Sequence, residues 1–412
     1  MSQLIILGNG FDLASGLKSS YQSFITYMKS IYSVDQTMYL DNLPLGYTGN
    51  LLDTNVWYTL LLHSNLSGDI TWKDIEAQIY KWLIYEKIID KVVETDIFRE
   101  MWDFNTPQAE SSRENQGVNK KIYLATLKRI EKLKSEELEI TREVVANILL
   151  SELNDVEKDF ENYLFLKAGY SIESDGSYFK KSNKLLQKIV LENYPELTYK
   201  PDDNDLVFNV ISFNYTDPWS NSWREYFKIP SNMPQPLLHT MVHGLAFRDH
   251  NHKVGINRVI FGVDSFKYFS GINETDISPL QLEYRFTKIY RTLVLYSDKF
   301  RSQSKRNVHL NVFDKGIKEI KFYGHSLGEA DYSYFQQMFD YYDLYSNNEL
   351  VLYFYYSQYP NSGKTDQELL QEQVYSITKL IEKYGSTMNN KAHGKNLLTR
   401  LLQMNRINIK EI

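Results

Sequence analysis

Four stretches of the sequence hold residue types that could do chemistry, and each follows a short apolar run. Gly8-Asn9-Gly10-Phe11-Asp12 follows Leu4–Leu7. Its glycines would let the backbone approach a phosphate, and the next helix N-terminus would favour the phosphate's charge. The same two glycines equally suit a tight strand-to-helix turn, because Leu13 stands where the dinucleotide fingerprint has its third glycine. Asn214-Tyr215-Thr216-Asp217 follows Val207–Phe213. Asn214 and Asp217 could fix a ribose hydroxyl or orient an attacking water, or they could bond their own backbone as Asx turns. His243-Gly244 ends the run from Leu237 and offers a titratable group on an elbow. Gly324-His325-Ser326-Leu327-Gly328 follows Glu319–Tyr323 and matches the G-x-S-x-G nucleophile elbow letter for letter. A hydrolase triad in that order needs an acid and then a histidine beyond Ser326, and only His393 follows. His239, His243, His250 and His252 fit no recognised ligand spacing with nearby carboxylates, so no metal is expected.

These turns need a scaffold. Leu4–Leu7, Val207–Phe213, Arg258–Val263, Glu319–Tyr323 and Glu349–Tyr356 are near-continuous apolar runs, the pattern of parallel strands covered on both faces. Ligands of such open α/β sheets bind outside the carboxyl ends of the strands, where three of the four stretches fall, those beginning at Gly8, Asn214 and Gly324. The expected fold is therefore a Rossmann-like parallel α/β sheet. Between the first and second strands the sequence reads mostly as helix. Phe24, Met28 and Ile31 share one face after a cap at Ser19 or Ser20, and Ile75, Ile79 and Leu83 recur every four residues. Residues 71–199 are expected to form a large helical insertion, 1–70 with 200–360 a discontinuous core, and 361–412 C-terminal helices.

Composition narrows the function classes. The 412 residues include no cysteine, which excludes disulfides, thiolate zinc sites and a cysteine nucleophile. A net charge of −6 offers no bulk attraction to a phosphate backbone, so nucleic acid is not indicated as a partner. No basic leader precedes the first apolar run, and no stretch reaches the ~20 apolar residues of a membrane span. A cytoplasmic protein without membrane contact is expected.

Taken together, residues 4–14 (LIILGNGFDLA), 212–217 (SFNYTD), His243-Gly244, 260–264 (IFGVD) and 323–331 (YGHSLGEAD) resemble the bacteriophage abortive-infection AbiH family. The resemblance runs in order from residue 4 to about residue 355, and Trp72–Glu76 and Glu157–Leu164 look like that family's acidic helical segments. It implies an antiphage effector with a nucleotide-binding core. The family in turn is distantly similar to sirtuin-like NAD-binding domains. That second likeness implies NAD or a related nucleotide as substrate or ligand, and NAD hydrolysis as the activity. Asn214, Asp217 and His243 would be catalytic. Gly8, Asn9, Gly10, Phe11, Asp12, Gly244, Gly324, His325, Ser326 and Asp331 would hold the nucleotide. The helical insertion would meet a phage-derived trigger or a second copy of the chain. The alternatives are a non-catalytic module that senses a nucleotide or phage component, and a serine hydrolase using Ser326.

Overall fold

The computed structural model describes residues 2–31, 55–63, 75–97, 114–134, 138–171, 174–197, 206–246, 259–263, 282–296, 311–328, 331–358 and 363–412. The expected boundaries at 70/71, 199/200 and 360/361 lie outside them, as do Trp72, His250, His252 and Arg258. The chain divides into two compact units: residues 1–19, 164–259 and 303–412 form one, and residues 20–163 and 260–302 form the other.

The first unit is the α/β sheet. Its strands are β1 (Ser2–Leu7), β2 (Val207–Ser212), β3 (His239–Met241), β4 (Glu319–Tyr323), β5 (Val351–Tyr356) and β6 (Ile407–Glu411). Its helices are α1 (Asn9–Ala14), α2 (Ser177–Leu191), α3 (Asn221–Tyr226), α4 (Tyr332–Tyr341), α5 (Asp366–Thr387) and α6 (Lys391–Gln403). All strand pairs are parallel, in the order β3-β2-β1-β4-β5-β6. That is the 3-2-1-4-5-6 order of dinucleotide-binding sheets, whose direction of winding reverses between β1 and β4. The Rossmann-like fold class expected from the sequence is the one observed.

Each face of the sheet carries its own core. On one face Ile6, Ile211, Phe322 and Phe354 pack with Phe335, Met338 and Phe339 of α4 and with Ile377, Leu380 and Ile381 of α5. On the other, Ile5, Leu7 and Val210 pack with Phe11 of α1 and Leu186, Ile189 and Val190 of α2. Two polar residues interrupt these strands for a local reason. Lys321 of β4 and Gln3 of β1 are fully buried, and their side chains donate to the last carbonyls of α2: Lys321 Nζ to Ile189 and Val190 (both 3.0 Å), Gln3 Nε2 to Val190 (3.2 Å). Those carbonyls have no partner within the helix, and a cation there also suits the helix dipole. Burial lowers the Lys321 ammonium to a pKa of about 8.

The sheet departs from expectation in three places. Val259–Val263 adds no strand to it; Val263 forms only an isolated bridge to Thr287. The run is apolar because Phe261 packs against Tyr21 and Phe160 of the second unit, and a short apolar run cannot by itself distinguish a strand from a buried loop. β3 is only three residues with two polar side chains, and β6 reads Ile-Asn-Ile-Lys-Glu, so neither shows the apolar run of the strands between them.

The second unit contains the helices Tyr21–Ile31, Val56–His63, Ile75–Tyr80, Ile88–Ile97, Glu114–Leu133, Arg142–Tyr163 and Lys288–Tyr296. Its acidic segments are paired inside it. Glu76 meets Lys288 (2.8 Å), Glu152 meets Arg129 (2.6 Å) and the Val56 amide (2.7 Å), and Glu157 meets Arg291. Among the described residues no helix is long and apolar enough to cross a membrane.

Candidate active site

Four strands end on one line. Met241, Ser212, Leu7 and Tyr323 are successive partners across β3, β2, β1 and β4. Two residues beyond each lie His243, Asn214, Asn9 and His325. The parallel register therefore brings to one sheet edge, at its switch point, side chains that are more than two hundred positions apart in sequence.

The glycines of the first turn serve the neighbouring strand. Gly8 N donates to the Tyr323 carbonyl (3.0 Å) and Gly10 N to the Gly324 carbonyl (2.8 Å). A Cβ on Gly8 would lie 2.5 Å from His325 Cα, and one on Gly10 2.6 Å from Gly324 Cα. Gly324 itself has φ +69°, which only glycine adopts freely. Phe11 is fully buried between Trp219 and Tyr323, and Asn9 accepts from the Ser19 hydroxyl at 2.5 Å.

Asp12 anchors a closed ring. The Tyr178 hydroxyl lies 2.8 Å from Oδ1, the Thr216 hydroxyl donates to Oδ2 (2.8 Å), and the two hydroxyls lie 2.9 Å apart. Three oxygen–oxygen contacts need three protons, and two hydroxyls supply two. A protonated Asp12 supplies the third. Consistent with this count, complete burial raises the Asp12 pKa to about 7, against the lowering effect of the two hydroxyls. The ring ties α1 to α2 and to the turn after β2. Neither Tyr178 nor Thr216 was a candidate in the sequence, since no local pattern links residues so far apart. Beside the ring, the Tyr170 hydroxyl accepts from the Asp217 amide and from Trp223 Nε1, both at 3.1 Å.

Asn214 is the anomaly of this edge. It is 2% exposed, and among the described residues neither its side-chain oxygen nor its nitrogen has a hydrogen-bond partner. A buried amide without partners costs on the order of 1–3 kcal/mol, which a polar group reaching it would offset. The Asx-turn alternative does not account for it: the Asn214 backbone amide bonds the Ser212 hydroxyl, and the side chain is not used. Asp217 is buried, 3.7 Å from His239 Nε2.

His243 Nε2 lies 3.0 Å from Asp331 Oδ1 and His325 Nε2 lies 3.4 Å from Asp331 Oδ2. Phe213 packs edge-on against both imidazoles, at 5.6 and 4.4 Å between ring centres. Gly244, at φ +86°, turns the chain away after His243.

Among the described residues the serine elbow is not assembled as a triad. Ser326 is exposed, and the positive φ of the turn falls on Leu327 (+56°) rather than on the serine. His393 stacks on Tyr345 (4.0 Å, 7°), in the segment that enters β5 at its amino end, whereas Ser326 leaves β4 at its carboxyl end. Among the described residues no group of three histidine, aspartate or glutamate side chains stands where it could hold a metal.

The model of one family, described as bacteriophage abortive infection AbiH, matches residues 4–355. No curated protein and no solved structure matches the chain significantly. The match takes in all four turns of the switch-point edge and spans both compact units, and on that extent the chain belongs to the bacteriophage abortive infection AbiH family.

Proposed function

We propose that the carboxyl edge of this sheet binds a nucleotide and hydrolyses it, with NAD as substrate, and that this is the toxic step of an abortive-infection response. The observation that carries the proposal is Asn214, buried with both side-chain polar atoms unsatisfied at the switch point of a 3-2-1-4-5-6 sheet. An amide there can accept from one ribose hydroxyl and donate to another, or hold the attacking water.

Cleaving a nicotinamide–ribose bond passes through a cationic, oxocarbenium-like sugar and needs a positioned water. His243 takes the proton from that water. Asp217, buried in the same turn as Asn214, adds negative charge where the sugar becomes positive. The Gly8–Gly10 turn contributes the close backbone approach at the switch point, beside Gly324.

The test is nicotinamide release from NAD by pure protein, with Asn214→Ala and His243→Ala beside the wild type. We expect both substitutions to lower turnover at least ~100-fold while the melting temperature stays within a few degrees. Unchanged turnover in both variants removes these residues from the chemistry. Calorimetric binding of NAD without turnover assigns the site to nucleotide sensing instead.

A further inference from the structure

Asp331 occupies the position before the first turn of α4, where an aspartate ordinarily accepts from a helix amide. Here its side chain caps nothing; one carboxylate oxygen faces His243 Nε2 and the other faces His325 Nε2. His325 is fixed by a second bond: its Nδ1 accepts the Leu327 amide at 2.8 Å. A ring nitrogen that accepts carries no proton, so neutral His325 carries its hydrogen on Nε2, 3.4 Å from the second carboxylate oxygen of Asp331. That places a positive ring edge beside this oxygen. The first oxygen is then set to accept from His243.

We propose that Asp331 is a positioning residue for His243, with His325 as its anchor, rather than a group that touches the nucleotide. The inference rests on the reading of His243 as the base. The carboxylate at Nε2 selects the Nε2–H form of His243 and puts the ring's lone pair on Nδ1, the atom that takes the proton from water. It also stabilises the imidazolium formed when that proton arrives. Phe213, edge-on to both imidazoles, limits rotation of either ring. Leu327, whose amide makes this bond, itself adopts φ +56°, a conformation uncommon for a leucine.

The test reads the tautomer separately from turnover. Nitrogen-15 imidazole correlation spectra of the wild type at pH 8 should show Nε2–H for both His243 and His325. Asp331→Asn should mix the His243 forms and lower kcat for NAD about 100-fold with KM unchanged, and Asp331→Glu should restore part of both. A wild-type His243 found as Nδ1–H overturns the proposal, as does an Asp331→Asn protein with the wild-type tautomer and kcat. Should the wild type turn over no NAD while the tautomers follow the pattern above, the positioning role stands and the NAD reading is the part that fails.

Discussion

At the scale of single residues, Asp12 gives the most quantitative expectation. Its folded pKa of about 7 lies above the ordinary aspartate value of 3.8. Between these values the folded chain binds a proton that the unfolded chain has released. The stabilisation is therefore complete below about pH 4 and is lost as the pH rises through 7, by a few kcal/mol in total. Asparagine offers one donor and one acceptor in the same shape, and so keeps all three contacts of the ring at every pH. Asp12→Asn should flatten the fall in melting temperature between pH 5 and pH 8.5 and be the more stable protein at the upper end. A variant whose melting curve tracks the wild type across that range would show that Asp12 does not titrate there. The ring was not legible in the sequence, where Asp12 stood as a nucleotide contact: its partners lie 166 and 204 positions away, and hydroxyl residues carry no periodicity. Asn214 and His243 were legible because each directly follows an apolar run.

At the scale of elements, two close approaches hold the site and its support. β1 and β4 leave the sheet side by side, and a methyl group on Gly324 would meet Phe11 N at 2.5 Å with φ already at +69°. The antiparallel pair α5–α6 crosses at Gly385 and Gly394, where a Cβ on Gly394 would lie 2.0 Å from the Gly385 carbonyl oxygen. Gly324→Ala and Gly394→Ala should each cost about 1–3 kcal/mol in urea unfolding. Only Gly324→Ala should also reduce NAD turnover, because Gly394 supports the fold far from the switch point. The parallel sheet was legible from β1, β2, β4 and β5, which are buried on both faces and read as apolar runs. β3 and β6 lie at the edges, where one side is open and polar side chains are tolerated, so their sequences give little signal. Lys321 shows the converse case: a cation inside a buried strand is explained only once the end of α2 is seen above it.

At the scale of the whole molecule, the family places the chain in phage abortive infection. In the helical unit Ile289 and Leu293 are both at least half exposed and one turn apart on the helix Lys288–Tyr296. We expect cells carrying Asn214→Ala to lose protection in a plaque assay and cells carrying Ser326→Ala to keep it, since among the described residues no histidine is hydrogen-bonded to Ser326. Full protection by Asn214→Ala, or loss of it in Ser326→Ala, would reverse that assignment. The most direct measurement is the structure of the crystallised protein soaked with NAD. The switch-point site predicts a ribose hydroxyl or an ordered water within hydrogen-bond distance of the Asn214 side chain, with His243 beside the nicotinamide–ribose bond. A nucleotide bound elsewhere, with the Asn214 amide still without a partner, would contradict it.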